Sequence, residues 1–153
     1  MLGDFARVMR GIATGENEFF FMTAAQAQER GIPERYLLGA VGRIRDVQTK
    51  PFMRADWEAL DEKGRPTRLL ALGAEAKDCL PKTLQDYLSE GEKSGVAVST
   101  LIATRRPWYR MEKREPPAFF IAYLGRREVR FIRPRSRGHS AYLPTLRLSA
   151  FER

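Results

Sequence analysis

Apolar positions change their spacing several times along this chain, and each change marks an element. Between Arg7 and Met22, Gly11 and Gly15 bracket Ile12-Ala13-Thr14, and the run Phe19-Phe20-Phe21-Met22 is too apolar for solvent. That pattern predicts a strand, a glycine-bounded turn and a second strand. Thr23 is placed to cap a helix over Ala24 to Arg30, with Gly31 to end it and Pro33 to stop it continuing. From Tyr36 to Phe52 the spacing of Val41, Ile44 and Val47 fits either one face of a helix or an irregular strand, and both stay open. Asp56 can cap a helix running through Trp57, Leu60 and Lys63 to Gly64, and Thr67 to Leu72 reads as a buried strand. Pro81 suits a first helical turn, and Leu80, Leu84, Tyr87 and Leu88 form an apolar stripe at helical spacing, which predicts a helix over residues 81 to 93.

Val96 to Thr104 is apolar and β-branched until Pro107-Trp108-Tyr109 breaks the run. Ala118 to Leu124 and Val129 to Ile132 read as two strands joined at Gly125, and Pro134 to His139 as a loop of Arg, Ser and Gly. The fold class expected is α+β: a single compact domain over residues 1–153, with a mixed or antiparallel sheet and several short helices. A chain of this length can bury about two-thirds of the surface it exposes unfolded, so a true core is available.

Composition narrows the function more than the fold. Cys79 is the only cysteine and His139 the only histidine, which excludes an internal disulfide framework and a Cys/His zinc cage and suits a reducing, cytoplasmic setting. No apolar run approaches the roughly 20 residues of a membrane span, and the N-terminus lacks a signal peptide's apolar segment, so a soluble protein with no membrane partner is expected. The net charge is +8, and it is unevenly placed: Arg105 to Arg137 holds ten Arg and one Lys against Glu112, Glu115 and Glu128, while the rest of the chain cancels. A polyanion-binding face needs this kind of concentration.

The residue sets of common catalytic sites are missing. There is no Gly-x-Gly-x-x-Gly, no Gly-x-Ser-x-Gly and no repeated ligand set. Asp61-Glu62-Lys63 is the nearest to a nuclease-like acidic-lysine grouping, and it reads better as a solvated helix end.

Three stretches suit nucleic acid, each with a plainer alternative. Arg105, Arg106, Trp108, Tyr109, Arg110, Lys113 and Arg114 combine guanidinium forks, which pair with phosphate or a guanine edge, with aromatic faces that can stack on a base. The alternative is that Trp108 and Tyr109 are core and the arginines a solvated rim. Arg126, Arg127, Arg130, Arg133, Arg135 and Arg137 alternate with Val129, Phe131 and Ile132, which would let Val129 and Phe131 be buried while Arg130 points outward, or else make a charged edge strand that resists aggregation. In Arg10 to Asn17, glycines permit close backbone approach while Thr14 and Asn17 offer hydrogen bonds to a phosphate or base edge, although from the residues alone a tight turn is the better reading. His139 reads as a loop side chain.

The segment Arg10-Gly11-Ile12-Ala13-Thr14-Gly15-Glu16-Asn17-Glu18-Phe19-Phe20-Phe21 resembles one found just beyond the catalytic domain in TaqI-like N6-adenine DNA methyltransferases of restriction-modification systems. The order that follows is similar too: Leu80-Pro81, Tyr87-Leu88, Gly91-Glu92, Arg106-x-Trp108-Tyr109, Pro116-Pro117 and Arg130-Phe131-Ile132. The resemblance covers nearly the whole chain and implies the target-recognition region of an enzyme that methylates a flipped adenine from S-adenosylmethionine. The Asn-Pro-Pro-Tyr-type catalytic motif and the glycine-rich cofactor motif are both absent, so only the recognition role carries over.

The expected function is therefore sequence-specific binding of double-stranded DNA, with no catalysis by this chain alone. S-adenosylmethionine would belong to a separate catalytic domain supplied in cis or in trans, with or without a fused nuclease. Two rivals use the same residues: an RNA-binding module stacking unpaired bases, and an interaction subunit whose arginines meet an acidic protein.

Overall fold

The computed structural model describes residues 6–43, 46–47, 51–114, 118–122, 130–133 and 147–150. They form an α+β fold with two antiparallel sheets. The first sheet has the order β1-β7-β5-β6, made of β1 (Ala6–Met9), β7 (Arg147–Ala150), β5 (Phe119–Ala122) and β6 (Arg130–Ile132). Its register pairs Ala6 with Ala150, Phe119 with Leu148 and Phe120 with Ile132. The second has the order β2-β4-β3, with β4 (Arg68–Leu70) between β2 (Phe21–Met22) and β3 (Leu37–Gly39). Phe21 lies opposite Leu69, and Leu37 opposite Leu70.

Local sequence explains most helix ends. The helix α2 (Ala24–Glu29) starts at a reciprocal cap, in which Gln26 N donates to the Thr23 hydroxyl and Thr23 N to the Gln26 side chain. Gly31 then turns the chain with φ +61°. The helix α3 (Arg54–Glu62) begins one turn earlier than its sequence suggests: Met53 is the N-cap, and Asp56, expected there, sits inside the first turn and accepts from Met53 N at 2.7 Å. A carboxylate at that position also faces the positive end of the helix dipole. The helix α4 (Lys82–Lys93), with Pro81 as its N-cap, buries Leu84, Tyr87, Leu88 and Gly91 in one stripe. Each buried leucine on it contributes roughly 1.5–3 kcal/mol through removal from water.

One expectation fails for a tertiary reason. Phe19 to Met22 is not a single strand: the short helix α1 (Asn17–Phe20) precedes β2. A strand would send Phe19 and Phe20 to opposite faces, whereas the helical turn lets both meet one aromatic cluster. Phe19 stacks on Tyr87 at 4.5 Å between centroids, and Phe20 packs edge-on to Phe19 at 5.1 Å. The apolar, β-branched stretch Val96 to Thr104 forms a short 3-10 turn (Val96–Val98) and successive turns. Gly95 reverses the chain at φ +84°, and the Thr104 hydroxyl donates to the Leu101 carbonyl at 2.7 Å, a local bond that competes with sheet pairing.

The main core gathers Ile12, Phe20, Leu69, Leu70, Leu84, Leu88 and Ile102 around β4 and α4. A second cluster of Val41, Val47, Phe52 and Ile132 ties the four-stranded sheet to α3, helped by Phe52 N donating to the Arg133 carbonyl at 3.1 Å. Ile132, not Phe131, is the member of β6 whose burial is described. Among the described residues no helix is long and apolar enough to cross a membrane.

Candidate nucleic-acid interface

The structure brings together two stretches some 90 residues apart, the Arg10–Asn17 loop and the Arg105–Arg114 segment. Arg105 joins them: its Nη2 donates to the carbonyls of Ala13 and Thr14, at 2.6 and 2.8 Å. Its guanidinium also lies 5.7 Å from the centroid of Phe20. Burial lowers the Arg105 pKa, with Glu112 opposing the shift, but a guanidinium so held stays charged. Behind the loop, a Cβ on Gly15 would stand 2.7 Å from Ile102 Cγ1, and Gly15 has φ +83°, so only glycine fits there. Arg10 closes the other end through Glu112 at 2.6 Å, and Glu112 also takes Arg114 at 3.1 Å.

Several residues expected to touch nucleic acid are thus spoken for internally. Tyr109 is 3% exposed and donates its hydroxyl to the Glu75 carbonyl at 2.6 Å, so it offers no face to a base. Trp108 is half-buried against Phe19 at 5.7 Å and Tyr109 at 5.7 Å, and its Nε1 donates to Glu92 at 3.2 Å. Its ring is a packing element. The Lys77 ammonium, donating to Glu92 at 2.7 Å, is the main reason that carboxyl lies below the ordinary range, with burial opposing and the Trp108 N–H assisting. Thr14 is buried, and its hydroxyl donates to Asn17 Oδ1 at 2.5 Å, so it acts through Asn17 and reaches no ligand itself.

Arg106, Arg110 and Lys113 are exposed and have no carboxylate partner among the described residues. Arg106 donates to the carbonyls of Ala103 and Arg105, which fixes its direction beside the cis Arg106–Pro107 peptide. Asn17 and Arg133 are exposed as well. Arg126, Arg127, Arg135 and Arg137, like His139, lie outside the described residues, and of Arg130 only its backbone place in β6, opposite Ala122, is described.

Two of the concavities beside the loop combine residues far apart in sequence and carry no motif. One is a groove of about 490 Å³ along Glu16, Glu18, Phe19, Arg30, Tyr87 and Glu90, whose acidic lining repels phosphate. Arg30 is committed there to Glu90 at 2.9 Å and to the Tyr87 ring at 4.7 Å. The other, of about 160 Å³, opens beside Asn17 between Phe21, Arg43, Asp46 and Arg65. Asp61, the candidate nuclease-like acid, accepts from the Thr67 hydroxyl at 2.6 Å and pairs with Arg68 at 3.1 Å, which is structural work. Among the described residues no group of three or more His, Cys, Asp or Glu could hold a metal ion.

The chain belongs to the family of the C-terminal domain of the Type II methyltransferase M.Eco57I, whose model matches residues 1–137. It is also 34% identical over 129 residues to the Type II methyltransferase M.AccI of Acinetobacter calcoaceticus, a match covering 84% of this chain and 23% of that protein. The chain therefore spans less than a quarter of the length of that curated relative. The resemblance read from the Arg10–Phe21 segment agrees with this placement in a C-terminal domain of a type II methyltransferase.

Proposed function

We propose that this chain is the DNA-recognition part of an N6-adenine DNA methyltransferase, and that the methyl-transfer chemistry resides in a separate catalytic domain. The observation that carries the reading is the joining of the Arg10–Asn17 loop to the Arg105–Arg114 segment, with Arg106, Arg110 and Lys113 left exposed. Arg106, Arg110, Lys113 and Arg133 supply charge for the DNA backbone, and Asn17 supplies base-edge hydrogen bonds.

The residues present do not fit S-adenosylmethionine in the manner of a doubly wound cofactor domain. Both sheets are antiparallel, and β1, which leads through Gly11 and Gly15 into the four-residue α1, pairs antiparallel with β7, unlike the parallel strand that feeds the cofactor turn of a doubly wound domain. Val98, 78% exposed on the Val96–Val98 turn, and Leu101, 43% exposed beside Gly15, suit contact with another part of a longer protein.

The test is a salt titration of binding to duplex DNA. Three neutralised phosphates give a slope of log K against log salt of about −2.7, and five about −4.5. Replacing Arg106, Arg110 and Lys113 together by Ala should flatten the slope by about 2 to 3. A flat titration of the native chain, or tighter retention of single-stranded RNA than of duplex DNA, would reject the reading.

A further inference from the structure

The cavity beside Asn17 has a chemistry that the charged surface does not use. Phe21, 9% exposed, and Pro66 give it apolar walls, while Asn17, Glu18, Arg43, Asp46 and Arg65 give it polar groups of both kinds. Its volume of about 160 Å³ is below the roughly 300–1,000 Å³ of sites for drug-sized ligands, so it takes one small planar group. Two carboxylates and two guanidiniums leave the lining without the net positive charge that favours phosphate. A base edge differs from phosphate in presenting an amino donor beside an acceptor.

Asn17 is prepared for such an edge. Its Oδ1 already accepts the buried Thr14 hydroxyl at 2.5 Å, which fixes the amide plane and leaves one oxygen lone pair. The Thr14 carbonyl is held in turn by Arg105 at 2.8 Å, so the orientation is set before any ligand arrives. Across the cavity, Arg65 Nη2 donates to both oxygens of Asp46, at 2.9 and 3.0 Å, with side chains 33% and 16% exposed. That pair keeps the Asp46 charge compensated while the remaining Arg65 N–H groups stay available.

We infer that this cavity reads the edge of one nucleobase, with Asn17 as the specificity-determining residue and adenine as its fit. The amide nitrogen donates to the ring acceptor, and the free lone pair of its oxygen accepts from the exocyclic amine. Thr14 and Arg105 are positioning residues that touch no DNA. The inference rests on the DNA-recognition reading above.

The experiment is enrichment of preferred duplexes from a random-sequence DNA pool by the native chain, Asn17→Ala and Asn17→Asp, with the salt slope of each measured alongside. The native chain should enrich a motif containing an A·T pair that Asn17→Ala no longer prefers, a loss of roughly 5- to 150-fold discrimination at that position alone. Its other positions and salt slope should be unchanged. Asn17→Asp, which keeps the acceptor and loses the donor, should move the preference there toward C·G, because a carboxylate accepts from the cytosine amine. If the native chain enriches a motif and both variants enrich the same one, the cavity is not a base reader. If the native chain enriches none while binding DNA, the recognition reading itself fails.

Discussion

Replacing Arg105 by Met separates two roles that its sequence neighbourhood left joined. Met keeps the aliphatic stem over Phe20 and removes the guanidinium, and with it the bonds to the Ala13 and Thr14 carbonyls at 2.6 and 2.8 Å. Hydrogen bonds to a charged group are worth about 1.5–3 kcal/mol each, which sets an upper limit near 3–6 kcal/mol for the pair. Against this, the buried Nη1 has no partner among the described residues, and removing it returns part of the desolvation cost. The net loss should be about 2–3 kcal/mol, or roughly 5–10 °C in melting temperature for a chain of this size. Urea unfolding of the two proteins measures it, with Arg105→Lys expected between them because an ammonium keeps the charge but not the planar fork. The DNA salt slope should stay within experimental error of native, since Arg105 neutralises no phosphate. A stability change under about 0.5 kcal/mol, the usual range for an exposed side chain, or a slope reduced by about 0.9, the signature of one lost phosphate contact, would refute the clamp.

Gly91→Ala sets helix propensity against packing. Alanine favours the helix by about 1 kcal/mol, but its Cβ would lie 2.7 Å from the Phe19 ring and 2.9 Å from Trp108. Overpacking of this kind costs about 1–3 kcal/mol. Because the Phe19 ring is pinned on Tyr87, the variant should be less stable in urea, and a gain would show that the rings yield. Alkaline pH should destabilise the fold through Tyr87 and Tyr109, whose pKa values are raised chiefly by burial. The unfolded chain releases those protons near pH 10 while the folded chain retains them, so stability is fully present below about pH 10 and falls as pH rises toward the folded values. Urea midpoints measured from pH 8 upward should show the decline, with a shallower one in Tyr109→Phe; a flat profile through pH 11 would contradict it.

What could be read from the sequence was local. The Thr23–Gln26 cap, the glycines that end α2 and α3, and the stripe of Leu84, Tyr87 and Leu88 all depend on neighbours within a few positions, and they stand where expected. The α+β class, with a mixed or antiparallel sheet, followed from such signals. Roles set by distant partners were not legible. Arg105 and Arg106 are adjacent and chemically identical, yet one is enclosed by a loop some 90 positions away and the other faces solvent. Trp108 and Tyr109 carry the same signature whether they stack on a base or fill a core, and only Phe19, Glu75 and Glu92 decide it. The Asp46–Arg65 pair that backs the cavity beside Asn17 has no periodic signal, because a loop and a helix-following turn contribute one residue each.

In the four-stranded sheet, the first described strand is hydrogen-bonded to the last. β7 stands between β1 and β5, while the family match ends at residue 137, ten positions before β7 begins. Trimming the polypeptide to that match would withdraw the inner strand and leave β1 without a ladder among the described strands. The same adjacency sets Ala6 opposite Ala150 on neighbouring strands, so the chain enters β1 and leaves β7 at close quarters.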